Sequence, residues 1–147
     1  MYFLLWVTIL NQSQVASQVV KNTKKLIDRI GEKRIYSDLT FHEIFELMNT
    51  PPKLHRFPRK MADYIYDSLW IINNSFNGDI GLVFEGGDIK KNLMAFKGIS
   101  THKAEMCLGL LYCIEHRCFD MQRFRGCKVS ESVLFDEIEV INSLKNS

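Results

Sequence analysis

The chain has 147 residues, 46% of them hydrophobic and 24% charged, with a net charge of +2. That length suits one domain with a single core, and the composition excludes a disordered, collagen-like or disulfide-scaffold protein. So small a net charge gives no bulk argument for a nucleic-acid partner, so any such argument rests on where individual charges sit.

The opening run MYFLLWVTIL has the hydrophobicity of an export signal. It lacks a basic start and a small-residue cleavage site, and Asn11, Gln12, Ser13 and Gln14 interrupt it. It reads as the first part of a helix over about Tyr2–Ile30, broken or bent near Asn11–Gln14 and ended by Gly31. No stretch approaches the length of a bilayer span. The four cysteines, Cys107, Cys113, Cys118 and Cys127, contain no C-x-x-C pair and read as reduced thiols. An intracellular chain, cytoplasmic or nucleoid-associated and without membrane contact, is expected.

Thr40 and Glu43 have the spacing of a capping box and open a helix that stops before Pro51-Pro52. The loop Pro51–Lys60 is the most basic stretch, with Lys53, His55, Arg56, Arg59 and Lys60 and no acid among them. A basic loop is commonly just solvated, but these cations are also candidates for phosphate contact. A helix follows over about Pro58–Asn73, then a turn at Asn77-Gly78-Asp79. A short helix over about Asp88–Phe96 leads into Lys97-Gly98-Ile99-Ser100, and another runs from Thr101 to about Glu115. Cys118–Lys128 is compact and basic, and Ser130–Leu144 closes the chain as a last helix. With no run of alternating strand residues, the expected fold is one all-α domain over residues 1–147, a compact helical bundle. The rings Trp6, Trp70, Phe41, Phe45 and Tyr64 read as core, and His42, His55 and His116 as structural or surface residues.

The hairpin of residues 97–101 carries the chemistry. A helix, a short turn with one glycine and a second helix point backbone N–H groups outward, where the helix dipole favours a phosphate. Gly98 permits positive φ and close approach of a nucleic-acid backbone. Any helix–turn–helix connection carries such a glycine, so the turn alone is not specific.

Read in order, Phe96-Lys97-Gly98-Ile99-Ser100-Thr101-His102-Lys103-Ala104 resembles the hairpin of the helix-hairpin-helix DNA glycosylases, the endonuclease III-like branch without the iron–sulfur cluster loop. That family's pattern is Leu-Pro-Gly-hydrophobic-Gly-x-Lys-x-Ala, followed by a hydrophobic-Asp segment. Asp120 lies 18 residues beyond His102, at the family spacing, with Phe119 before it and Arg125 five residues after. Upstream, Arg59-Lys60-Met61-Ala62 and Asn77-Gly78-Asp79-Ile80 also fit, so the resemblance covers about residues 3–128. It implies a shortened form of that family's fold.

The resemblance implies an enzyme that removes a damaged or modified base from double-stranded DNA, as a monomer, after flipping the base out of the stack. Asp120 would stabilise the developing sugar cation, as carboxylates do in glycoside hydrolysis. His102 holds the position of the lyase lysine, and Lys103, one residue later, is turned about 100° away. Hydrolysis without a lyase step is therefore expected. Lys97, Gly98, Ile99, Ser100, Thr101 and Lys103 would grip phosphate, joined by Lys53, Arg59, Lys60 and Arg125. Gln12 or Gln14, with Ser13 a third choice, would fill the gap left by the flipped base. No cofactor is implied. Ser100 replaces a glycine, Lys97 a proline, and Met121-Gln122 a Thr-His pair. These departures suit the alternative of a non-catalytic DNA-binding module, and more distantly an interaction protein that uses the helices without DNA. For Asp120 the plainer reading is a surface or capping carboxylate among Arg117, Arg123 and Arg125.

Overall fold

A computed structural model of the chain describes residues 1–12, 16–31, 34–117 and 120–124, apart from the side chains of Ala16 and Met121. Gln14, Arg125 and the expected helix over Ser130–Leu144 lie outside the described residues. The described part is all-helical: α1 Tyr2–Leu10, α2 Ala16–Ile30, α3 Phe41–Asn49, α4 Pro58–Ser75, α5 Ile89–Met94 and α6 Thr101–His116, with no strand. Short 3-10 turns cover Tyr36–Asp38, Ile80–Phe84 and Met121–Phe124.

The opening apolar run is the centre of the bundle. Every residue from Phe3 to Leu10 is buried, as a helix apolar on all sides must be, and α1 packs against α2, α4 and α6. Its one indole is tied down, with Trp6 Nε1 donating to Ser68 Oγ of α4 at 3.2 Å. The helix expected over Tyr2–Ile30, broken or bent near Asn11–Gln14, is broken there into two helices. Asn11 leaves helical space at ψ 71°, where short polar side chains compete with the backbone for hydrogen bonds. No helix among the described residues is long and apolar enough to cross a membrane.

Local signals place the next boundaries. Gly31 ends α2 at φ +89°, and its amide donates to Ile27 O. Thr40 and Glu43 close a reciprocal capping box on α3, whose last carbonyls are covered from outside. Arg29 of α2 donates to Leu47 O at 2.6 Å and to Thr50 O and Pro52 O at 3.2 Å, so a cation completes the C-terminal end of a helix. On α6, Gly109 lets Phe124 lie against the helix, since a Cβ there would stand 2.6 Å from Phe124 Cε1. Trp70, expected in the core, is 59% exposed: the inward stripe of α4 is Met61, Ile65, Ser68, Leu69 and Ile72, and Trp70 falls outside it.

Candidate nucleic-acid interface

The turn between α5 and α6 hangs from the core by its apolar residues. Phe96 is 2% and Ile99 7% exposed, and the Ile99 amide donates to Phe96 O at 3.3 Å. Ile99 therefore anchors the turn instead of facing solvent. Between them Gly98 adopts φ +89°, and a Cβ there would lie 2.7 Å from Tyr64 Cδ2 and 3.4 Å from Gln12 Nε2. Two constraints, a left-handed backbone and a ring pressed against it, require glycine.

Ser100 caps α6, its Oγ accepting the Lys103 amide at 3.3 Å. A glycine at this position would leave that amide uncapped; serine takes it up. Thr101 and His102, the first two residues of α6, keep amides that no helix carbonyl can reach. Lys97 lies 3.7 Å from both Asp63 Oδ2 and Asp67 Oδ1 of α4. These partly exposed pairs steady the turn weakly and leave Lys97 already engaged with carboxylates.

His102 and Lys103 divide as their 100° offset dictates, with a result that the sequence did not favour. His102 is exposed, whereas the Lys103 amine is buried without a hydrogen-bond partner. Burial, and next the charge of Lys60, lower its pKa to about 8. Beside it stands His55, 3% exposed. Its Nδ1 accepts the Phe57 amide at 3.0 Å, which leaves the proton on Nε2 to donate to Leu10 O at 3.0 Å. Burial holds the ring's pKa below its ordinary value, and Lys103 and Arg56 push the same way. His55 thus fastens the basic loop to the end of α1.

The remaining cations ring this corner. Lys60 Nζ lies 5.7 Å from the centre of the Tyr64 ring, the same ring that presses on Gly98. Arg59 sits 5.0 Å over Phe45 and Arg56 5.8 Å over Phe57, while Lys53 is exposed. Among the described residues no carboxylate pairs with Lys53, Arg56, Arg59, Lys60 or Lys103. The structure therefore brings together Gln12, Lys60, Gly98, Lys103 and the free amides of Thr101 and His102. Sequence reasoning missed Tyr64 as the ring under the hairpin; its position four residues after Lys60 was the available signal.

Asp120 is engaged elsewhere. Its Oδ1 accepts the Gln122 amide at 3.0 Å, and its Oδ2 lies 3.6 Å from Arg123 Nε. Arg123 in turn sits 3.8 Å over the Tyr112 ring in the C-terminal half of α6. Helix α6 continues to His116, which carries the chain ~21 Å past His102 at 1.5 Å per residue. The four residues from there to Asp120 span at most ~14 Å. A sequence spacing of 18 residues is thus spent mostly on helix, and the contacts of Asp120 are those of a carboxylate capping a local turn.

Comparison with known proteins gives no match, whether with family models, with curated proteins or with solved structures.

Proposed function

We propose that the chain binds duplex DNA through the α5–α6 hairpin, as a module of the helix-hairpin-helix kind. One observation carries this reading: two unpartnered amides at the start of α6 stand beside Lys60 and Lys103, cations without a carboxylate among the described residues. A phosphate there accepts from the amides of Thr101 and His102, meets the positive end of the helix dipole and, once binding uncovers it, gives the Lys103 amine the partner it lacks. Binding of this kind releases counterions, so the affinity for a duplex is expected to fall steeply with salt. Lys60→Ala is expected to lower the slope of log K against log salt by about one. Fluorescence anisotropy on a labelled duplex over a salt series measures both, and an affinity indifferent to salt would refute the reading.

Base excision is the second reading, and the Lys103 amine is what favours it. With a pKa of about 8, roughly a tenth of that amine is neutral near pH 7, far more than for an ordinary lysine. The chemistry this favours, once DNA binding uncovers the amine, is attack by Lys103 on the sugar carbon as the base leaves, in place of hydrolysis directed by Asp120. Borohydride trapping on lesion-bearing duplexes tests it. A covalent complex that vanishes in Lys103→Ala supports this route. Base release that survives Lys103→Ala and is lost in Asp120→Asn returns the reaction to the carboxylate. If no lesion is released, the binding reading stands alone.

A further inference from the structure

A second basic surface lies next to the hairpin and shares only Lys60 with it. Between α3 and the start of α4 runs an open groove of about 720 Å³, lined by Phe41, Phe45, Arg56, Phe57, Arg59 and Lys60 among others. Its floor is aromatic. The Phe41 and Phe45 rings are parallel within 6° with centres 6.3 Å apart, and Phe57 is 47% exposed. Phe41 and Phe45 are half-buried against the core, so the groove offers part of their ring surface together with the exposed ring of Phe57 to a ligand.

The cations decide what that ligand is. Arg59 and Arg56 lie over the Phe45 and Phe57 rings, and neither they nor Lys60 pairs with a carboxylate among the described residues. Asp63, the one acid among the described residues that line the groove, faces Lys97. A purely apolar partner would bury these guanidinium groups without compensation. An acidic peptide would satisfy them and leave the rings unused. A strand of nucleic acid with its bases unpaired does both, because every base offers a flat face and every nucleotide an anion. The groove is also continuous with the hairpin, since Lys60 lines the groove and stands over Tyr64, whose ring touches Gly98.

We propose that the groove between α3 and α4 binds an unpaired stretch of nucleic-acid strand, with bases against Phe45 and Phe57 and phosphates against Arg56, Arg59 and Lys60. The proposal rests on the nucleic-acid reading of the hairpin for its class of ligand and assigns to the single strand a surface that shares only Lys60 with the hairpin site. A duplex cannot use the rings, because its base faces are already stacked.

The test compares a short labelled oligothymidylate with a duplex by fluorescence anisotropy, on wild type, Phe57→Ala, Phe57→Trp and Phe45→Leu. Phe57→Ala is expected to weaken single-strand binding about tenfold, with duplex affinity unchanged; Phe57→Trp restores it, and Phe45→Leu, which keeps the bulk without the flat face, weakens it. Phe57 is exposed enough for its loss to spare the fold, which a melting curve checks. If the duplex binds and the oligothymidylate is indifferent to both positions, the groove proposal falls and the hairpin reading survives. If polyglutamate displaces the oligothymidylate equally well and Phe57→Ala has no effect, the groove takes acidic peptides and the proposal is overturned. If neither nucleic acid binds, it falls together with the hairpin reading.

Discussion

Gly98→Ala is expected to abolish duplex binding and to destabilise the protein by about 2–5 kcal/mol, the sum of a left-handed backbone penalty and an overpacked contact. The φ of +89° disfavours any L side chain, and the new methyl would lie 2.7 Å from Tyr64 Cδ2 and 3.0 Å from Cε2. Tyr64 cannot simply withdraw, because Lys60 lies over its ring and it packs against the buried core. The turn has to move, and with it the first amides of α6. Denaturant unfolding reads the stability and anisotropy the affinity. The companion Tyr64→Ala with Gly98→Ala separates the two causes: it removes the clash and leaves the backbone strain, so part of the stability returns. If Gly98→Ala binds duplex DNA as the wild type does, the hairpin is not the contact.

Lys103→Met is expected to stabilise the protein near neutral pH, an unusual outcome for loss of a charged side chain. The amine is buried without a partner, and its pKa falls from 10.5 to about 8 on folding. Below about pH 8 the group is charged in both states, and the folded state bears the full burden of a desolvated cation. Between the folded and unfolded pKa values the unfolded chain holds more protons, so wild-type stability rises with pH through that window. Above about 10.5 the amine is neutral in both states and the burden is gone. The side chain is partly exposed, so screening leaves a gain on the order of 1 kcal/mol for Lys103→Met, or about 2–4 °C in Tm for a domain of this size. The variant should also lack the rise between pH 8 and 10.5. DNA acts the other way: a phosphate beside the amine favours its charged form, so wild-type affinity falls above about pH 8 and that of Lys103→Met does not. A variant that is less stable than wild type near pH 7, with the same pH profile, would mean that Lys103 is paired in solution.

Both outcomes bear on how far the sequence could be read. Where structure is decided locally, residues spoke plainly. The Thr40–Glu43 box, Gly31, Pro58 at the start of α4 and the Asn77-Gly78 turn all act within a few residues of themselves, and the boundaries they mark were legible. Gly98 belongs to the same class. The inward residue at the start of α6 was not legible, because one step along a helix turns a side chain by 100° and only the packing of α6 against α1 and α5 fixes that phase. Asp120 was not legible for a related reason. Its spacing from His102 does not say how far the chain returns along α6, which runs on to His116, and its partners, the Gln122 amide and Arg123, are set by the turn that follows. Trp70 was assigned to the core on hydrophobicity alone, whereas the buried stripe of α4 passes it by.

The position of α1 has a consequence for how the chain reaches this state. It precedes its partners along the chain, yet it is buried on every side by helices that come later, among them α4 and α6. Those contacts join residues roughly 60 to 110 positions apart, a long-range topology that slows the search for the native arrangement. Until α6 has left the ribosome, the run from Phe3 to Leu10 has no complete groove to enter, and its apolar surface is open to whatever else the cell offers. The same geometry makes folding nearly all-or-none. A chain cut anywhere before α6 keeps most of its helical sequence but loses one wall around α1, so it forfeits the core as a whole instead of shedding one helix.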